Sequence, residues 1–128
     1  MPDKKFAAVD LSIFKELKKI SGERIRQARK ALGLPLLEVA TEMGGSLRWY
    51  RAIESGDPGA RLEDHLIATL RLGASTGHIA FMFLFAGQRM RFPRQLLYGD
   101  LASIERTCID AISDAVITGL KQDLSPEW

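Results

Sequence analysis

Between Met43 and Gly56 the chain reads Met-Gly-Gly-Ser-Leu-Arg-Trp-Tyr-Arg-Ala-Ile-Glu-Ser-Gly, and this stretch constrains the fold more than any other. Gly44 takes positive φ without a Cβ penalty, so a helix ending at Met43 is expected to turn sharply there. Ser46 stands at the N-cap position of the next helix, where its hydroxyl satisfies free N–H groups. Leu47, Tyr50 and Ile53 then recur at helical spacing and are expected to face a core, leaving Arg48, Trp49 and Arg51 outward. A short helix with a small-residue turn before it, an apolar inner face and outward arginines has the make-up of a recognition helix for a DNA major groove.

The residues on either side extend a helical reading. Residues Met1 to Val9 carry few apolar anchors and are expected to be loose. Asp10 or Ser12 suits the cap of a helix with Ile13, Phe14, Leu17 and Ile20 on one side and Lys15, Lys18 and Lys19 on the other. Ser21-Gly22 reads as a break or a new cap. Ile25, Ala28 and Leu32 then turn inward, with Arg24, Arg26 and Lys30 outward and Gly33 closing the helix. Pro35 suits the first turn of the helix that carries Leu36, Val39, Ala40 and Met43. Ser55-Gly-Asp-Pro-Gly59 is dense turn chemistry, after which Leu62, Leu66, Thr69 and Leu70 mark a helix closed by Gly73.

After Ser75-Thr-Gly77 the texture changes. Ile79-Ala-Phe-Met-Phe-Leu-Phe85 is apolar and aromatic, and Met90 and Phe92 alternate with Arg89, Arg91 and Arg94. Length and aromatic content predict two strands joined at Ala86-Gly87, with a further helix as the alternative. Asp100 caps a long helix from Leu101 to about Gln122. Leu101, Ile104, Cys108, Ala111, Ile112 and Ala115 form its stripe, widened by Ile109, Val116 and Leu120. A face that broad covers a core on one flank and a partner on the other, so a homodimer is expected through Phe81, Phe83, Phe85, Ile104, Cys108, Ile112 and Val116. A helix folded back on its own domain is the alternative.

The net charge of +2 does not by itself point to nucleic acid, but its distribution is uneven. Lys4, Lys5, Lys15, Lys18, Lys19, Arg24, Arg26, Arg29 and Lys30 outnumber the acids before residue 31, whereas beyond Gln95 only Arg106 and Lys121 oppose six acids. A basic front suits contact with phosphates, and Lys18 is one expected contact. Cys108 is the sole cysteine and sits in an apolar pattern. No apolar stretch reaches the roughly 18 residues of a membrane span, and no signal peptide opens the chain, so a cytoplasmic protein is expected with no membrane partner. His65 and His78 lie far apart in sequence, no second ligand sits at metal spacing beside His65, and no Gly-rich loop cradles a phosphate. No enzyme, metal or cofactor is expected.

Residues Gly22–Leu34 (Gly-Glu-Arg-Ile-Arg-Gln-Ala-Arg-Lys-Ala-Leu-Gly-Leu), Glu38-Val-Ala40, Gly44, Ser46, Tyr50, Ile53, Glu54 and Gly56 together resemble the Xre/Cro/phage-repressor helix-turn-helix family. Gly56-Asp-Pro-Gly59 and the stretch to Gly73 are similar to the HipB-type antitoxin branch. The resemblance implies a five-helix DNA-binding domain and an orienting ion pair between Arg29 and Glu54. It implies base contacts at Ser46, Leu47, Arg48 and Ala52, with Trp49 and Arg51 at the backbone or groove wall. Arg48 suits bidentate bonding to guanine, while Arg61, and secondarily Arg24 and Arg26, suit phosphates. Pro35 and Leu36 depart from the family's polar pair at the start of the second helix, and Gly45 replaces a small apolar residue.

The expected architecture is therefore mainly α: a basic N-terminal arm and helix (1–20), a five-helix Xre-type helix-turn-helix domain (21–74), then a small β-hairpin and a long C-terminal helix for dimerisation (75–128). The expected function is a sequence-specific transcriptional regulator, a repressor, binding double-stranded DNA as a homodimer. Two alternatives stand beside it: an antitoxin-like autorepressor that binds a toxin, and an anti-activator that docks a protein through Leu36, Leu47 and Trp49.

Overall fold

The computed structural model describes residues 10–123; the Met1–Val9 arm lies outside them. Among the described residues six α-helices follow one another: α1 (Ser12–Ala31), α2 (Leu36–Glu42), α3 (Leu47–Ser55), α4 (Leu62–Arg71), α5 (Gly77–Gly87) and α6 (Leu101–Asp123), with a 3₁₀ segment at Arg94–Tyr98 between the last two. Helix α1 is the spine. It packs against α3, α4 and α5, while α2 packs on α3 and α6 on α5.

Two apolar clusters hold these helices. Ile25, Val39, Ala40, Tyr50, Ile53 and Ala68 form the first, closing α1 through α4 around α3. Leu17, Ile79 and Met82 form the second, where α5 lies along the first half of α1 with Ile20, Leu66 and Phe83 around it. Two inward assignments are corrected, since Leu32 and Leu70 are exposed, while His65 and Ala68 join the expected Thr69 on the buried side of α4.

The expected hairpin does not form: among the described residues there is no strand. Residues 77–87 are helical, and the apolar run covers most of the helix surface because α1 and α6 pack against it. An apolar stretch buried on more than one side loses the alternation that separates strand from helix. Ala86-Gly87 is the last turn of α5, not a hairpin. The chain leaves the helix two residues later, where Arg89 takes φ 56° and the Met90 N–H reaches the Phe85 carbonyl at 2.8 Å.

The break expected at Ser21-Gly22 is also absent, since α1 runs through it without interruption. Gly22 is there for space. A Cβ on it would lie 2.5 Å from the Ile53 carbonyl oxygen and 2.7 Å from that of Glu54, so α3 ends against the backbone of α1. Beside it, the buried Ser21 hydroxyl and His65 Nδ1 share a 2.8 Å hydrogen bond, tying α1 to α4. The Asp100 cap holds as expected, its carboxylate accepting from Ser103 N–H at 3.1 Å.

Candidate nucleic-acid interface

The unit α2–turn–α3 is built by local chemistry. Gly44 takes φ 74°, and the N–H groups of Gly44 and Gly45 bond the Thr41 and Ala40 carbonyls, each at 3.0 Å, ending α2. Ser46 caps α3, its hydroxyl accepting from Trp49 N–H at 3.1 Å. At the other end Gly56 takes φ 72°, in close contact with the Lys19 backbone of α1. Lys18 Nζ donates to the Pro58 carbonyl at 2.9 Å, so this lysine secures the turn after α3 rather than standing clear of the protein.

The inner side of α3 is fully packed, with Tyr50 and Ile53 at zero exposure. Orientation is fixed further by a fork-to-fork pair: Arg29 Nε and Nη2 donate to the two Glu54 carboxylate oxygens at 2.6 and 3.1 Å, and Nη1 donates to the Leu34 carbonyl at 2.9 Å. Glu54 raises the Arg29 pKa above its ordinary value. The Tyr50 hydroxyl lies buried beside the pair without a hydrogen bond of normal geometry, and burial, then Glu54, push its pKa well up.

Outward, Ser46, Arg48 and Arg51 are exposed, and Leu47 and Ala52 are half-buried at the edges of the same face. Arg48, Arg51 and Ala52 sit three and four residues apart, so their side chains emerge on one side of α3. Among the described residues neither arginine makes an ion pair. Two cations without an ion-pair partner among the described residues thus stand together on one side of a firmly held helix.

Two expected contacts, Trp49 and Arg24, are turned towards the protein, and two others stand exposed beside acids. Trp49 is not on the outward face: it is half-buried, packs on the first cluster and donates Nε1–H to Asp64 at 3.3 Å. Its ring occupies the space where a Gly45 Cβ would be, which accounts for glycine at that position. Arg24 is half-buried and turned towards the C-terminal region, with Nη1 donating to the Leu97 carbonyl at 3.2 Å. Arg26 is exposed beside Glu23 at 3.8 Å, and Arg61 is exposed and paired with Glu63.

Of the expected dimer residues, Phe81 is buried, Phe83 meets Phe14 at a 55° tilt with 5.7 Å between ring centres, and Phe85 meets Phe92 edge-on at 5.8 Å. These three are used within the chain. Ile104 and Cys108 are half-buried, whereas Ile112 and Val116 remain open, as do Ile109 and Ile117.

The histidines, distant in sequence, enter one interior. Both are at zero exposure, and burial drops each pKa from 6.5 to about 4. Lys18 adds to this at His65 and Arg24 at His78; Asp64 and the Ser75 backbone oppose it, respectively. His65 in turn lowers His78. Among the described residues no group of three His, Cys, Asp or Glu side chains has a metal-site arrangement, and no helix is long and apolar enough to cross a membrane.

Comparison of the chain with protein-family models, curated proteins and solved structures gives no match. The sequence signals that would have found Trp49's partner and the role of Gly45 were present as a pair: a glycine four residues before a tryptophan, and an acid in the first turn of the following helix.

Proposed function

We propose that the chain binds double-stranded DNA through α3, as a homodimeric transcriptional repressor of the Xre-type helix-turn-helix kind acting in the cytoplasm. The observation that carries this reading is the outward side of α3, where Arg48 and Arg51 stand exposed on a helix whose capped start and packed inner side fix its direction. Arg48 reads base edges, and Arg51 and Arg61 hold phosphates. Ile109, Ile112, Val116 and Ile117 on α6 support the homodimer, because a second copy covers an aliphatic stripe that the described residues leave open. Such a pair sets its α3 helices about one DNA turn, roughly 34 Å, apart on a near-palindromic site.

One observation favours a protein partner instead. Leu37 is 62 % exposed on α2, with the exposed acids Glu38 and Glu42 alongside it, a combination that repels phosphate. The trio expected to dock a protein, Leu36, Leu47 and Trp49, is half-buried, so that surface would centre on Leu37.

Duplexes enriched from a random pool, titrated by fluorescence anisotropy, test the DNA reading. Arg48→Ala is expected to weaken the enriched duplex by about 10- to 100-fold and random duplex little, the worth of one bidentate base contact. Arg51→Ala is expected to weaken both alike and to flatten the salt dependence. Equal losses from both variants on both duplexes, or no wild-type binding at low salt, would contradict the assignment.

A further inference from the structure

A cleft of about 310 Å³ opens between α1 and the 3₁₀ segment, and nothing in the DNA reading uses it. Arg24 lines it, partly withdrawn from water, with Nη1 on the Leu97 carbonyl at 3.2 Å. Burial lowers the Arg24 pKa, and Glu105 only partly opposes this. The Glu105 carboxylate lies against Gly77 at the start of α5. Among the described residues no carboxylate comes within ion-pair distance of Arg24. A guanidinium has five N–H donors, so this one retains unused donors beside an open cleft. A partly buried cation whose nearest carboxylates stay beyond ion-pair distance gains from a carboxylate brought into contact with it.

The other walls define the rest of the ligand. Ile20 and Leu97 supply apolar surface, and the ring of Tyr98, 90 % exposed, stands at the rim. Lys19 and Glu23 also line the cleft and offset one another in charge, Glu23 being bonded to Gln27 at 3.5 Å and 3.8 Å from Arg26, so the lining carries the one net positive charge of Arg24 and suits a single negative charge. The volume lies at the small end of ligand sites, about 300–1,000 Å³.

We propose that this cleft is a binding site for a small aromatic monocarboxylate, with the carboxylate on Arg24 and the ring between Leu97 and Tyr98. The site joins α1, which α3 crosses at Gly22, to the segment that leads into α6. The proposal stands apart from DNA binding, and its test contains no DNA.

Calorimetric titration with 2-naphthoate, and with the neutral 2-naphthamide as control, measures it. Saturable one-site binding of naphthoate is expected, at least tenfold tighter than the amide. Arg24→Gln should remove that tenfold difference. Because this variant also loses the tie to Leu97, Tyr98→Ala serves as the second one; its side chain is too exposed to hold the fold, and it should weaken naphthoate several-fold. The proposal is overturned by failure to saturate at millimolar naphthoate, by equal binding of acid and amide, or by unchanged affinity in either variant.

Discussion

Glu54→Gln is expected to destabilise the protein by about 3–5 kcal/mol, the usual cost of breaking a buried ion pair from one side. Both side chains are close to nine-tenths buried, and Arg29 has its Nε and Nη2 on Glu54. The amide keeps the shape of the carboxylate but not its charge, so the guanidinium stays out of water uncompensated. A domain of this size holds about 5–15 kcal/mol in all, so the loss takes a large share of it. The double variant Arg29→Met/Glu54→Leu removes both charges together and should lie close to wild type. Arg26→Ala, which breaks an exposed pair at 3.8 Å, should cost less than about 1 kcal/mol. Urea unfolding of the three variants checks the order. A Glu54→Gln loss as small as that of Arg26→Ala would show that the pair does not hold α3 in place.

Acid is expected to undo the fold well above the pH at which most carboxylates titrate. His65 and His78 have pKa values near 4 in the folded protein against 6.5 when unhindered. The unfolded chain therefore takes up protons first, and stability present in full above pH 6.5 drains away as pH falls towards 4. Each histidine adds a slope approaching about 1.4 kcal/mol per pH unit within that window, with an upper bound of about 3 kcal/mol per ring. Relaxation around a newly charged ring brings the real figure below the bound. His78→Leu separates this effect from carboxylate titration. Neither ring nitrogen of His78 has a hydrogen bond of normal geometry, so an apolar side chain of similar size loses no bond there. Its urea midpoint at pH 7.5 should match or exceed wild type, and its loss between pH 6.5 and 4.5 should be about half as steep. An unchanged slope in His78→Leu would remove the histidines from the account.

The parts legible in the sequence are those in which chemistry acts on near neighbours. Ser46 caps the helix that follows it, and Gly44 supplies the left-handed residue between helices, because both requirements are met within a few residues. Tyr50 and Ile53 fall inward by periodicity alone. Long-range demands leave no local mark in the sequence. Gly22 looks like a helix stop, but its purpose is set by the backbone of Glu54, thirty-two positions away in the chain. Trp49 reads as outward by spacing, yet the gap above Gly45 and the carboxylate of Asp64 draw its ring back. The run through Phe81, Phe83 and Phe85 lost its period because α5 is covered on two sides, and Arg89 rather than Gly87 took the left-handed turn. Arg24 gave no sign of facing inward, since its acceptor is a main-chain carbonyl on a segment reached only after α5.

Amide chemical-shift mapping of the protein titrated with an enriched duplex bears most directly on the proposed role of α3. The largest changes are expected at Ser46, Arg48, Arg51 and Ala52, with smaller ones at Arg61 and the turn after α3. Changes centred on Leu37, Glu38 and Glu42, or confined to α6, or absent at low salt, would contradict a helix that reads DNA.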